Sequence, residues 1–195
     1  MKFKDLQKLG KKLYFGVDDV VQTLEVTPQS ARVLCSRYVK EGIFIRLKNN
    51  FYVLAQNWAP ASRDYFLRLA NFLQVPSYIS FMSALSLYEV TTQVQRGFFE
   101  SASLKRSRKF SAHASTFVFY KLQKGLYFDF TKKQEIFIAS REKAFLDAVY
   151  LYSFGKYRLD FASLDLAKLD MQRIKEVAKP FPEKTRAIVS RLCKI

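Results

Sequence analysis

Between Tyr38 and Leu54 the chain reads YVKEGIFIRLKNNFYVL, and within this stretch the apolar period changes from that of a helix to that of a strand. Upstream, Ala31, Leu34, Cys35 and Tyr38 recur at helical spacing and are expected to face a core. Downstream, Ile43, Ile45 and Leu47 alternate with polar residues, which is the signature of a half-buried strand. Asn49-Asn50 then separates this run from FYVL, and Asn is the non-glycine residue that best tolerates the positive φ of a tight hairpin turn. Gly42 is placed to stop the helix and launch the hairpin. The reading is an amphipathic helix feeding a β-hairpin, with Ile43, Ile45 and Leu47 inward and Arg46 and Lys48 on the outer face near the tip.

The residues upstream narrow the choice. Residues 2–12 read as a helix with Phe3, Leu6 and Leu9 on one face, and a second helix follows over Val17 to Leu24. Thr27 is a good N-cap for the third, and Pro28 at its first position loses no needed hydrogen bond. Gln29, Ser30, Arg32, Ser36, Arg37 and Lys40 are left on the face opposite the core. Helix, helix, turn, amphipathic helix, hairpin is the order of a winged helix-turn-helix, expected over residues 1–57. In helix-turn-helix proteins the second helix of the pair enters the major groove. Gln29 and Arg32 have side chains suited to adenine and guanine edges. Thr27, Ser30, Arg37, Arg46, Lys48 and Asn49 complete the expected DNA-contacting set, in which phosphate contacts position without specifying sequence. The other reading is a winged helix used only for structure or protein docking.

Charge supports a polyanionic partner. Thirty-three Lys and Arg against 17 Asp and Glu give +16 over 195 residues, an excess that favours nucleic acid or an anionic surface. No run of about 18 uncharged apolar residues offers a spanning helix, and the N-terminus lacks the apolar region of a secretory signal. Cys35 and Cys193 are too few for a disulfide framework or a Cys-rich zinc site, so a reduced, cytoplasmic setting is expected.

After a break around Asn57 to Arg63, residues 61–195 read as a mixed α+β domain, making the whole chain α+β. Ser62 and Ser80 are expected to cap helices, and GFFESASL, TFVFYKL, GLYFDF and EIFIAS to form strands. Ser140 opens the helix REKAFLDAVYLYSF, and two further helices flank Pro180 and Pro182. Lys105, Arg106, Arg108 and Lys109 cluster in the connection KRSRK between two expected strands, suited to DNA phosphate or to an acidic protein face.

Catalytic signatures are sparse. A metal nuclease would want a Glu-x-Lys pair on one strand, and Glu135 is followed by Ile136 and Phe137. Lys143 and Asp147, four residues apart, are expected to pair on a helix surface. The only histidine is His113, and no phosphate-cradling glycine loop or G-x-S-x-G elbow occurs. No enzyme activity, metal or cofactor is expected, although a nucleic-acid-processing enzyme using Asp129 and Glu135 is a third class of reading.

RLKNNFYVL, then VPSYISFMSALSLYEV, then IASREKAFLDAVYL together resemble the AbiEi-type antitoxins of type IV toxin–antitoxin (abortive infection) systems. The resemblance covers about residues 3 to 152, and the last forty residues match no pattern of that family. It implies a cytoplasmic transcription repressor of its own operon, binding an inverted repeat in double-stranded DNA as two copies. It further implies an activity counteracting an AbiEii-type, nucleotidyltransferase-like toxin. An antitoxin acting mainly by direct protein contact, with DNA binding secondary, is the alternative.

Overall fold

A computed structural model describes residues 3–93 and 96–195, with side chains from Gln7 onward. Phe3 and Leu6, expected on the apolar face of the first helix, therefore lie outside the described side chains, while Leu9 is buried. The chain forms two compact units, residues 1–69 with 110–114, and residues 70–109 with 115–195. The boundary falls inside a helix, downstream of the break in apolar pattern around residue 60.

The first unit begins with α1 (Phe3–Gly10), α2 (Val17–Leu24) and α3 (Pro28–Lys40), followed by the hairpin β1 (Phe44–Lys48) and β2 (Phe51–Leu54) and a short α4 (Ala55–Trp58). Thr27 caps α3, its hydroxyl accepting from the Ser30 N–H at 3.2 Å, and Pro28 takes the first helical position. Gly42 adopts φ +73, a left-handed conformation that glycine enters without penalty. A core of Leu9, Phe15, Val20, Ala31, Cys35, Tyr38, Phe44 and Tyr52 joins the three helices to the hairpin.

The hairpin is buried on both faces, where alternation predicts one. Phe44, Tyr52 and Leu54 face the helical core, while Ile45 and Val53 pair with each other on the opposite face and are also buried. Phe51 lies on that second face beneath Tyr14, the rings stacked at 4.1 Å. Phe15 adds an isolated bridge to β2, exchanging two 2.9 Å hydrogen bonds with Tyr52.

After α5 (Arg63–Leu73), capped by Ser62, the chain continues through β3 (Ser77–Ile79), α6 (Phe81–Leu87), β4 (Phe98–Ser103), β5 (Arg108–Ala112), β6 (Ser115–Lys121), β7 (Phe130–Lys133), β8 (Ile136–Ala139), α7 (Arg141–Ser153), α8 (Met171–Ala178) and α9 (Glu183–Cys193), all in the second unit except the last three residues of β5. The mixed sheet has the order β5-β6-β4-β3-β8-β7. GLYFDF does not form the expected strand: Lys124–Leu126 make a 3-10 turn, and Asp129 at φ +55 breaks any extended run before β7. KRSRK is only partly a connection, because Arg108 and Lys109 open β5.

Two buried charges organise this unit. α7 packs on α6, α8 and α9, and Lys143 and Asp147 form an ion pair with neither side chain exposed. This corrects the expectation of a surface pair. Ser80 stands at the N-cap of α6, yet its hydroxyl donates to Asp147 at 2.7 Å instead of capping the helix. Tyr78 donates to Asp147 at 3.0 Å, and Lys143 donates to the Tyr78 hydroxyl at 2.9 Å. The rings of Tyr78, Phe128 and Phe181 lie 5.2–5.4 Å from the ammonium. Burial pushes the Lys143 ammonium down and the Asp147 carboxyl up, each opposed by their mutual attraction.

Glu100, on β4, accepts N–H groups of Met82 and Ser83 in the first turn of α6, together with the Tyr157 hydroxyl at 2.9 and 3.0 Å and the Tyr120 hydroxyl. A carboxylate suits that helix terminus. Burial nevertheless pushes its pKa up to about 7.

Candidate nucleic-acid interface

Within the first unit a concavity of about 600 Å³ lies between α3 and the hairpin tip. Successive helical turns place Arg32, Ser36 and Lys40 along one stripe of α3, since residues four apart lie one above the other. Arg46, Asn49 and Asn50 supply the opposite wall, and Val17 and Asp18 at the start of α2 close one end. Three cations face one carboxylate across this groove, and among the described residues Arg32, Lys40 and Arg46 form no ion pair. The groove thus presents positive charge that its own walls do not neutralise.

Local geometry ties the hairpin wall to the start of α2. Asn50 adopts φ +54 in the turn, and its Oδ1 accepts from the Val17 N–H at 2.6 Å. The hairpin tip therefore satisfies one of the free donors at the start of α2. Gly16 permits this approach, because a Cβ there would meet the Asn50 side chain at 3.0 Å. Asp19 completes the helix start, accepting from the Gly16 N–H at 2.7 Å and pairing with Lys12.

The residues singled out by sequence divide into four groups. Arg32, Arg46 and Asn49 line the groove. Gln29 and Ser30 are exposed on the first turn of α3, outside the groove lining, and Thr27 is engaged as its cap. Arg37 sits on a neighbouring stripe, 3.7 Å from Glu41 and with its guanidinium 5.1 Å from the Tyr38 ring. Lys48 departs from the shared outer face expected with Arg46: the strand register shifts between the two, and Lys48 lies over the Phe51 ring at 5.1 Å.

Lys105, Arg106, Arg108 and Lys109 belong to the second unit, all exposed. Their backbone is pinned from below: Gln74 donates to the Arg106 carbonyl at 3.0 Å, and Ser107 Oγ accepts from the Lys121 N–H at 2.9 Å. Asp129 and Glu135, the acids of the nuclease reading, are engaged separately. Asp129 binds Ser140 at 2.6 Å and Arg173 at 2.5 Å, and Glu135 pairs with Lys132 at 2.8 Å. No group of three or more metal-binding side chains occurs among the described residues.

The fold has a solved counterpart. It is similar to the crystal structure of the RV2827C protein from Mycobacterium tuberculosis. The TM-score is 0.65 at 12% sequence identity, over 97% of this chain and 74% of that one. No family model and no curated protein matches the chain. The similarity establishes a mixed α+β fold.

Ser36, Lys40 and Asn50 line the groove and were not among the residues chosen from sequence. Ser36 and Lys40 were legible, standing four and eight residues after Arg32. The capping role of Asn50 carried no local signal, because its partner lies 33 residues away. Val33 is a different omission: at 63% exposed it is an apolar side chain on the polar face of α3, between Gln29 and Arg37.

Proposed function

We propose that this protein is a DNA-binding transcription regulator whose first unit is a winged helix-turn-helix. In this reading α2 and α3 form the helix-turn-helix, β1 and β2 the wing, and the Phe15 bridge the third strand that braces it. The observation that carries the reading is the groove itself: Arg32 and Lys40 on α3 and Arg46 on the hairpin, without ion pairs among the described residues, with the hairpin tip tied to the start of α2 through Asn50. Phosphate oxygens are the natural partners of such a surface. Gln29, Arg32 and Val33 offer base-reading chemistry for adenine, guanine and the thymine methyl group respectively.

The resemblance to AbiEi-type antitoxins supports an autorepressor that binds an inverted repeat as two copies and counteracts a neighbouring toxin. No catalytic role is assigned to the chain. Lys105, Arg106, Arg108 and Lys109 extend the DNA footprint in this reading.

Two variants test it on a specific operator duplex. Replacing Arg32, Lys40 and Arg46 together with Ala should abolish discrimination between operator and scrambled DNA. Replacing the four cations of KRSRK with Ala should reduce the slope of log affinity against log salt by roughly 0.9 for each phosphate that the loop no longer neutralises. Full discrimination in the groove variant would refute the assignment of the groove. An unchanged slope in the loop variant would turn that patch toward a protein partner.

A further inference from the structure

In the first unit a second concavity, of about 390 Å³, is lined by three cations and by no carboxylate. The chain leaving α1 contributes Lys11 and Lys12, and α5 contributes Tyr65 and Arg68. The cavity stands at the opposite end of the hairpin from the groove. A Cβ on Gly10, which lines it, would meet Leu54 at the end of β2, whereas the groove is walled by Asn49 and Asn50 of the tip. Along β2 the two sites are separated by roughly 13 Å.

Arg68 carries the unmet demand. It is half-buried, and its guanidinium has neither an ion pair nor a hydrogen bond among the described residues. Asp64, one turn earlier on α5, does not pair with it. A guanidinium keeps its proton under all ordinary conditions, so its N–H donors stay charged and need acceptors. Lys11 is exposed and likewise unpaired among the described residues, and Lys12 shares its ammonium with Asp19.

The neutral polar groups of the cavity hold its walls in place. Tyr65 donates its hydroxyl proton to the Leu13 carbonyl at 3.1 Å, and Asn57 donates to the Gly10 carbonyl at 2.7 Å. Both bonds fix the chain leaving α1 against the helices that follow the hairpin. Burial pushes the Tyr65 hydroxyl up to about 12 in spite of nearby Arg68, so it stays neutral and adds no negative charge.

We propose that this cavity seats the phosphoryl group of a small phosphorylated molecule, with Arg68 binding two of its oxygens and Lys11 and Lys12 adding charge. The planar guanidinium matches phosphate oxygens in pairs. Several cations with no facing acid suit a multiply charged anion better than a carboxylate. The volume lies in the range of about 300–1,000 Å³ usual for ligand sites, which leaves room for a group beyond the phosphate. The proposal does not rest on the DNA-binding reading.

Inorganic pyrophosphate is the probe. Calorimetry on the full chain at about 0.15 M salt should give saturable binding with a Kd of roughly 1 mM or tighter. Lys11→Gln combined with Arg68→Gln should weaken it about tenfold or more. Lys121→Gln combined with Lys124→Gln removes the same charge from exposed positions of the second unit and should leave it unchanged. Absence of saturable binding, or equal losses in the two double variants, would overturn the proposal and reduce the interaction to net charge. Lys11→Glu, at an exposed position, should abolish binding and keeps the test decisive should the Arg68 variant fail to fold. The salt slope of DNA binding should be the same for the Lys11 and Arg68 double variant as for the parent chain. A slope smaller by roughly 0.9 would give the cavity to a DNA phosphate and overturn the small-molecule assignment.

Discussion

Arg32 projects from the middle of α3 without an ion pair among the described residues, whereas Arg37, little more than a turn later, is drawn to Glu41 and the Tyr38 ring. Sequence assigns Arg32 to a base edge and Arg37 to phosphate, and the Glu41 and Tyr38 contacts of Arg37 set the two further apart. If Arg32 reads a base, Arg32→Ala should cost about 1–3 kcal/mol on the operator and much less on random DNA. Equal losses on both, measured by anisotropy titration, would reassign it to phosphate. Glu100 gives a second prediction at this scale. Its folded pKa of about 7 stands above the ordinary 4.5, so the native state binds the proton more readily than the unfolded chain. Stability from this group is complete below the unfolded value and is lost as pH rises toward 7, by about 3 kcal/mol in all. Glu100→Gln should flatten the dependence of urea midpoint on pH between about 4.5 and 7. A slope identical to that of the parent chain would contradict it. Nothing in FFESAS announces this carboxyl, since its partners Tyr157, Met82 and Ser83 come from remote segments.

Elements with a strong local period and a clear cap were legible. Val17–Leu24 matches its expected range, and Thr27 and Ser140 begin helices through the hydrogen bonds their side chains predict. Where tertiary packing overrides local pattern, sequence gave less. β5 went unseen because RKFSA offers one buried apolar residue, Phe110, among exposed cations, as suits a charged edge strand. α7 was expected to show a polar face, yet Glu142, Lys143 and Asp147 are all buried. Lys143→Met should therefore destabilise the protein by about 3–5 kcal/mol, because it strands Asp147 without its partner. Combining it with Asp147→Leu should recover a large part of that loss in chemical denaturation, and no recovery would argue against burial as the cause. The hairpin makes the complementary case. Asn50→Ala removes the cap of α2 and places Ala at a φ that Asn tolerates better, so a loss of about 1–2 kcal/mol is expected. If the proposed function holds, operator affinity should fall beyond what stability explains, since that side chain ties the hairpin to α2. An unchanged affinity would separate the hairpin from the proposed DNA binding.

Across the whole molecule, a charge of +16 favours any polyanion, so affinity for DNA would be weak evidence and preference among DNA sequences strong evidence. No helix among the described residues is long and apolar enough to cross a membrane. The α+β class was readable from the order of periodic segments, and the similarity to the M. tuberculosis structure extends over nearly the whole chain. Sheet order was not readable, because β3 is flanked by β4 and β8, strands that only the folded chain brings beside it. The most direct test is a titration of the intact protein against DNA from just upstream of its own gene, beside a scrambled duplex, across several salt concentrations. The proposed function predicts binding to the upstream DNA tighter by roughly a thousandfold or more at physiological salt. Equal affinity for both duplexes, falling steeply with salt, would contradict it and reduce the interaction to charge alone.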